Sequence, residues 1–269
     1  TEDDQYRMYL AVLKRFDMRP TAIRLADLGA DKMPDFPLDE FDKDANPFMG
    51  CRGIRLFLKN PELLYTQLRA IVRTACEVPA QVKIMIPMVS TVEEVRHVRK
   101  AFNEVLKELE SKGKKPLNRV ALGAMIEVPA AAIALDGMIG ELDFISIGTN
   151  DLIQYLIAVD RVNQEVAHMY DPCHPAVART INQIIQTAHK RNKRVCICGE
   201  IAADSRMLPV LLGLGVDALS VTPRMYLRVK NNIRNLNFEN CSDLAQAALL
   251  MGSSAEIRQL IDNNKNEDS

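Results

Sequence analysis

Tryptophan is absent from this 269-residue sequence, and histidine occurs only four times, as His97, His168, His174 and His189. None of the four lies in a glycine-rich loop or an H-x-x-H pair, so the usual histidine-based metal signatures are missing. No G-x-G-x-x-G run and no P-loop is present, which argues against dinucleotide and Walker-type phosphate binding. No stretch of 18 apolar residues occurs and no signal-peptide pattern opens the chain, so no membrane partner is expected. The formal net charge is only -1, which gives no general pull toward polyanions and makes nucleic acid a poor expectation. Six cysteines are scattered singly or as one C-x-C pair, so disulfides are not expected and a cytoplasmic setting is.

What is present is ordinary globular composition, with hydrophobic residues at 48% and charged residues at 26%. The length suits one α/β domain over residues 1–269, with no internal repeat or linker in view. The chain is organised around Arg119 to Arg161. There, Val120–Ile126 and Phe144–Ile147 have the length and β-branched content of buried strands. Each run leads into an acid, Glu127 after the first and Asp151 after the second.

Further strands are expected at Thr21–Asp27, over C-R-G-I-R-L-F-L (51–58), at Lys83–Val89, over R-V-C-I-C-G (194–199) and at Val216–Val221. Helices of crossover length fall between most of them, and Ser90-Thr91-Val92-Glu93 reads as a helix start with a capping-box pattern. An acidic, proline-flanked excursion loop is expected over Met33–Asn46. Seven strands alternating with helices imply a parallel sheet, and the length favours a (β/α)8 TIM barrel over an open sheet. An eighth strand has no clear place.

In such a barrel the strand C-termini converge on one face, where ligands bind. The chemistry-bearing residues expected there are the cations Arg24, Arg52, Lys83 and Arg161, the acids Glu127 and Asp151, and Asn150 and Cys198. Two carboxylates at neighbouring strand ends suit Mg2+, which takes one or two carboxylates plus water and substrate oxygens. Several cations beside that ion suit a phosphate monoester. Cys196 and Cys198 are two apart and face the same side of a strand. Cys196 reads as core, whereas Cys198 stands at the strand end before Gly199. A protonated thiol there can donate its proton to carbon or oxygen. The histidines read as structural, His174 being the strongest exception.

Six runs, I-R-L-A-D-L-G-A-D-K, N-P-F-M-G-C-R-G-I-R, K-I-M-I-P-M, G-A-M-I-E-V-P-A-A-A, D-F-I-S-I-G-T-N-D-L-I-Q-Y-L-I-A-V-D-R and C-G-E-I-A-A-D, occur in this order along nearly the whole chain. Together they resemble the phosphoenolpyruvate-utilising enzymes, and within them the C-terminal half of enzyme I of the phosphoenolpyruvate–sugar phosphotransferase system. The resemblance implies a phosphoenolpyruvate-binding barrel that dimerises. Arg24 and Arg52 resemble the family's phosphate-holding arginines, and Glu127 and Asp151 its magnesium ligands. Asn150 and Arg161 resemble groups that complete substrate binding, and Cys198 the proton donor to the methylene carbon. Lys83 stands where enzyme I often has arginine, which turns a bidentate contact into a point charge. The family's phosphohistidine lies on a separate N-terminal domain, in a glycine-rich loop containing S-H, and no such loop occurs here. The docking domain for the carrier HPr is missing as well. The expectation is therefore phosphoenolpyruvate and Mg2+ binding, with pyruvate as product, but no self-phosphorylation by this chain. Two other readings stay open, a Mg2+-dependent enolate lyase or aldolase and a non-catalytic phosphoenolpyruvate-sensing module.

Overall fold

A computed structural model describes residues 1–27 and 46–267. The expected excursion over Met33–Asn46 falls outside them, except for its last residue. The described residues form two compact units, one of residues 1–125 and 140–144, the other of 126–139 and 145 onward.

The first unit opens with α1 (Glu2–Leu13), whose N-terminus is closed by Thr1 and Asp4 in a capping box. It packs on α3 (Pro61–Ala75), where Arg69 and Arg73 bind the Glu2 carboxylate. Burial works against that carboxylate's charge, and the two guanidiniums outweigh it, so the acid titrates below its ordinary value. Strands β1 (Pro20–Arg24), β2 (Gln81–Ile86) and β3 (Ala121–Ile126) run parallel, with Arg24 beside Met85 and Lys83 beside Ala121. Alternation in β2 is clear: Val82, Ile84 and Ile86 are buried while Lys83 and Met85 are half-buried. The long crossover α4 (Val92–Ser111) starts at Thr91, whose hydroxyl and the Glu94 carboxylate cap each other's backbone.

The strand expected over Cys51–Leu58 is instead a helix, α2 (Ile54–Lys59). Short apolar runs do not distinguish the two periods. Burial does: Ile54 and Phe57, three apart, are within 2% of full burial, whereas Leu58 is 38% exposed. A strand would have put Ile54 and Leu58 on one face. Gly53 enters this helix at φ 56, and a side chain there would meet Met88 Cβ at 2.8 Å.

In the second unit β4 (Ile145–Gly148), β5 (Val195–Cys198) and β6 (Ala218–Ser220) also run parallel. Around them lie α5 (Pro129–Ile133), α6 (Leu135–Met138), α7 (Thr149–Leu156), α8 (Pro175–His189), α9 (Leu208–Gly213) and α10 (Pro223–Arg234). Two helices, α11 (Phe238–Leu250) and α12 (Ser254–Glu267), complete it, α11 lying against α9 and α8. Pro129 and Pro175 each start a helix, where the missing N–H has no consequence. His174 caps α8, its Nδ1 accepting from Ala176 N at 3.1 Å, a structural role for the histidine that stood out most.

Both units use the same device at a strand entrance. Asp143 accepts from the Leu122 N–H at 2.8 Å and carries Arg119 at 2.6 Å. Asp217 accepts from the Val195 N–H at 2.8 Å and carries His189 at 2.9 Å. The fold is thus α/β with parallel strands, six of them among the described residues.

Candidate functional site

In the first unit the expected arginines meet at an acid. Arg52 follows the bend at Cys51 and is 6% exposed. A guanidinium so far from water needs an anion. Asp27 supplies it through a two-pronged contact, Nε to Oδ1 at 2.9 Å and Nη2 to Oδ2 at 2.5 Å. The fork geometry explains why arginine stands there. Arg24, the last residue of β1, reaches the same carboxylate at 3.6 Å and keeps 45% of its side chain exposed. Lys83 is not at a strand end: it is the third residue of β2, with three residues of strand after it. Its ammonium lies 5.2 Å from the centre of the Phe144 ring, a cation–π distance.

In the second unit four of the five expected residues gather about the start of α7. β4 ends at Gly148, paired with Cys198 at the end of β5, so α7 begins beside that strand end. Thr149 Oγ1 donates to the Cys198 carbonyl at 2.6 Å, and Asn150 Oδ1 accepts from Glu200 N at 2.9 Å. Gly199 between them has φ 101, and a Cβ there would stand 2.3 Å from Thr149 Oγ1 and 2.7 Å from Asn150 Oδ1. Only glycine allows both the turn and the close approach. Cys198 Sγ lies 3.3 Å from the Ile147 carbonyl, to which its thiol can donate, and accepts from Ser146 Oγ at 3.6 Å. Asp151, in the first turn of α7, is 6% exposed. Arg161 lies beyond the far end of α7, and its Nη2 comes within 3.6 Å of Asp151 Oδ1. The turn that returns it is fixed by Gln154, whose side-chain oxygen accepts from Arg161 N at 3.1 Å. Glu127 directly follows β3 and is 2% exposed, just before α5, which packs on α7.

Sequence reasoning passed over three residues here. Asp27 had a signal, the rule that a buried arginine must find an anion. Thr149 had a weaker one, its place in G-T-N-D. Tyr170 had none. Its hydroxyl donates to the Asn150 carbonyl at 3.4 Å. Burial raises the phenol to about 12, so it keeps its proton at any ordinary pH.

Among the described residues, no three His, Cys, Asp or Glu side chains form a metal cage. A closed centre of the zinc kind is therefore not built there. Glu127 and Asp151 are both buried acids of the second unit. No helix among the described residues is long and apolar enough to cross a membrane, and the six cysteines form no disulfide among the described residues.

Residues 1–238 match the family model of the PEP-utilising enzyme, PEP-binding domain. The chain belongs to the phosphoenolpyruvate-utilising enzyme family. It is 38% identical over 261 residues to the phosphoenolpyruvate-protein phosphotransferase of Priestia megaterium, covering 97% of this chain and 45% of that protein. To the protein of the same name in Haemophilus influenzae it is 39% identical over 262 residues, with the same two coverages. The chain thus spans under half the length of these relatives. A citrate lyase of Burkholderia xenovorans superposes with a TM-score of 0.48 at 15% identity, over 76% of this chain and 67% of that one. A likeness at that level separates none of the readings above.

Proposed function

We propose that this chain is the substrate-binding portion of a phosphoenolpyruvate-protein phosphotransferase, folded as a (β/α)8 barrel and acting with Mg2+. The carrying observation is the second-unit cluster, in which Asn150, Asp151, Cys198 and Arg161 are tied together by bonds that begin or end on α7 and its flanks. Family membership supports the substrate. Parallel strands alternating with helices support the barrel.

On this reading Arg24, Arg52 and Lys83 hold the phosphate, and Arg161 and Asn150 complete the substrate's contacts. Phosphoryl transfer needs positioning and charge neutralisation more than covalent help from the protein. Fixed guanidiniums supply both without reorganising as charge develops. Glu127 and Asp151 would hold Mg2+, which when bound neutralises phosphate and enolate oxygens. The P–O bond of phosphoenolpyruvate breaks, and the phosphoryl group passes to a histidine on a separate domain. The departing electron pair leaves pyruvate enolate, whose methylene carbon takes the Cys198 proton to give pyruvate. The thiolate regains a proton from water. The whole protein, on the same reading, passes the phosphoryl group on to HPr and works as a cytoplasmic homodimer.

Calorimetric titration with phosphoenolpyruvate, with and without Mg2+, tests this. Saturable binding that strengthens with Mg2+ and falls by tenfold or more in Asp151→Asn is expected. Binding that ignores both the metal and Asp151 overturns the metal assignment, and no binding overturns the substrate. Cys198→Ala separates the donor role from the sensing alternative: it should leave binding intact, yet abolish pyruvate formation when supplied within the full-length protein.

A further inference from the structure

Helix α12 begins beyond the last residue matched to the family, residue 238, and nothing in the chemistry above calls on it. It does touch the turn next to the site. Asp171 Oδ1 accepts from Arg258 Nη1 at 2.8 Å and from Cys173 N at 3.0 Å. Ser254, one helical turn before Arg258, hydrogen-bonds the same carboxylate. Burial alone would raise this acid, and these three donors outweigh it and lower it. The joint between α11 and α12 is fastened separately: Arg179 of α8 donates to the carbonyls of Leu249 at 3.1 Å and Met251 at 2.8 Å. The preceding residue, Tyr170, donates to the Asn150 carbonyl. A continuous chain of contacts therefore runs from α12 through Asp171 and Tyr170 to the backbone of a substrate-site residue.

We propose that α12 is a latch: Arg258 and Ser254 hold Asp171 so that Tyr170 stays under the first turn of α7 and fixes Asn150 for the substrate. Arg258, Asp171 and Tyr170 are positioning residues, because none of them needs to touch the ligand. The inference rests on the phosphoenolpyruvate reading above. Its size is bounded by the latch itself, since a coupling between two sites cannot exceed the free energy of the contact that carries it. Arg258 keeps 47% of its side chain exposed. A half-exposed ion pair bounds the effect at up to about fivefold in affinity.

The test uses calorimetric titration of the chain with phosphoenolpyruvate and Mg2+, alongside thermal unfolding. Arg258→Ala and Tyr170→Phe should each weaken binding about two- to fivefold. The double variant should bind no more weakly than Tyr170→Phe alone, because both changes cut one path. Arg258→Lys, which keeps a cation opposite Asp171, should recover most of the lost affinity. If the wild type binds and Arg258→Ala binds equally well, the latch is overturned while the substrate assignment stands. If the two losses simply multiply, or if Arg258→Ala loses affinity only in step with a lowered unfolding midpoint and Arg258→Lys does not restore it, the contact is merely structural and the proposal fails. A wild-type chain that binds no phosphoenolpyruvate removes both.

Discussion

Each unit contains an arginine beside a buried aspartate, and the two pairs are built differently. Arg52 grips Asp27 with two parallel contacts of 2.9 and 2.5 Å, and the side chains are 8% and 2% exposed. Arg161 Nη2 stands 3.6 Å from Asp151 Oδ1, and the arginine side chain is 30% exposed. The first geometry is that of a fixed structural joint. The second is a longer approach that can rearrange when a ligand or cation competes for either group. On the proposed reading, the phosphate would meet an arginine already oriented by Asp27, with Arg24 as the more exposed neighbour. Rigidity comes from the buried acid, reach from the exposed cation.

The comparison breaks most visibly at Asp27. Asp27→Ala removes the carboxylate that grips the buried Arg52 guanidinium at 2.9 and 2.5 Å and should lower stability by about 3–5 kcal/mol, read from denaturant unfolding. The matched change in the second unit, Asp151→Ala, should lower it by far less, because Arg161 can turn toward water. Equal losses in the two variants would show that the difference between the pairs is one of appearance only.

A smaller effect is expected at Gly199, which sets the close approach of β5 to α7. Gly199→Ala places a methyl group against Thr149 Oγ1 and Asn150 Oδ1, at a backbone angle that side chains rarely adopt. Strain of this kind amounts to about 1–3 kcal/mol. The stability loss should come with weaker phosphoenolpyruvate binding, since the same shift moves Asn150. A loss of stability with unchanged binding would separate the turn from the site.

These two positions also show what could be read from the residues alone. The strand-end places of Glu127 and Cys198 were readable because apolar, β-branched runs end just before or at them, and Asn150 and Asp151 follow shortly after another such run. The helix over Ile54–Lys59 was not visible, because its apolar run is too short for one period to win and Phe57 and Leu58 exchange roles between the two patterns. Asp27 was readable in principle from Arg52, but burial of that arginine is a tertiary fact. Tyr170 was out of reach, for its role depends on a turn that brings residue 170 back to residue 150, and no local spacing encodes that return. Lys83 was placed with the strand-end cations on the strength of its flanking apolar run, and the register puts it in the first half of β2 instead.

Lys83 carries the smallest and most discriminating prediction. Its ammonium stands 5.2 Å from the Phe144 ring, which gives it a local structural partner. It is also half-buried and on the same face of β2 as Met85, the residue in register with Arg24. If the ring contact is its whole role, Lys83→Arg should stack on Phe144 at least as well and leave phosphoenolpyruvate affinity unchanged. If Lys83 belongs to the phosphate-holding set, arginine offers a planar fork where lysine offers one point of charge. Affinity should then rise, by no more than about 1 kcal/mol or roughly fivefold, because the fork must still give up contact with the ring. Titration of this one variant therefore decides whether the third cation of the first unit works with Arg24 and Arg52 or only anchors the aromatic ring beside it.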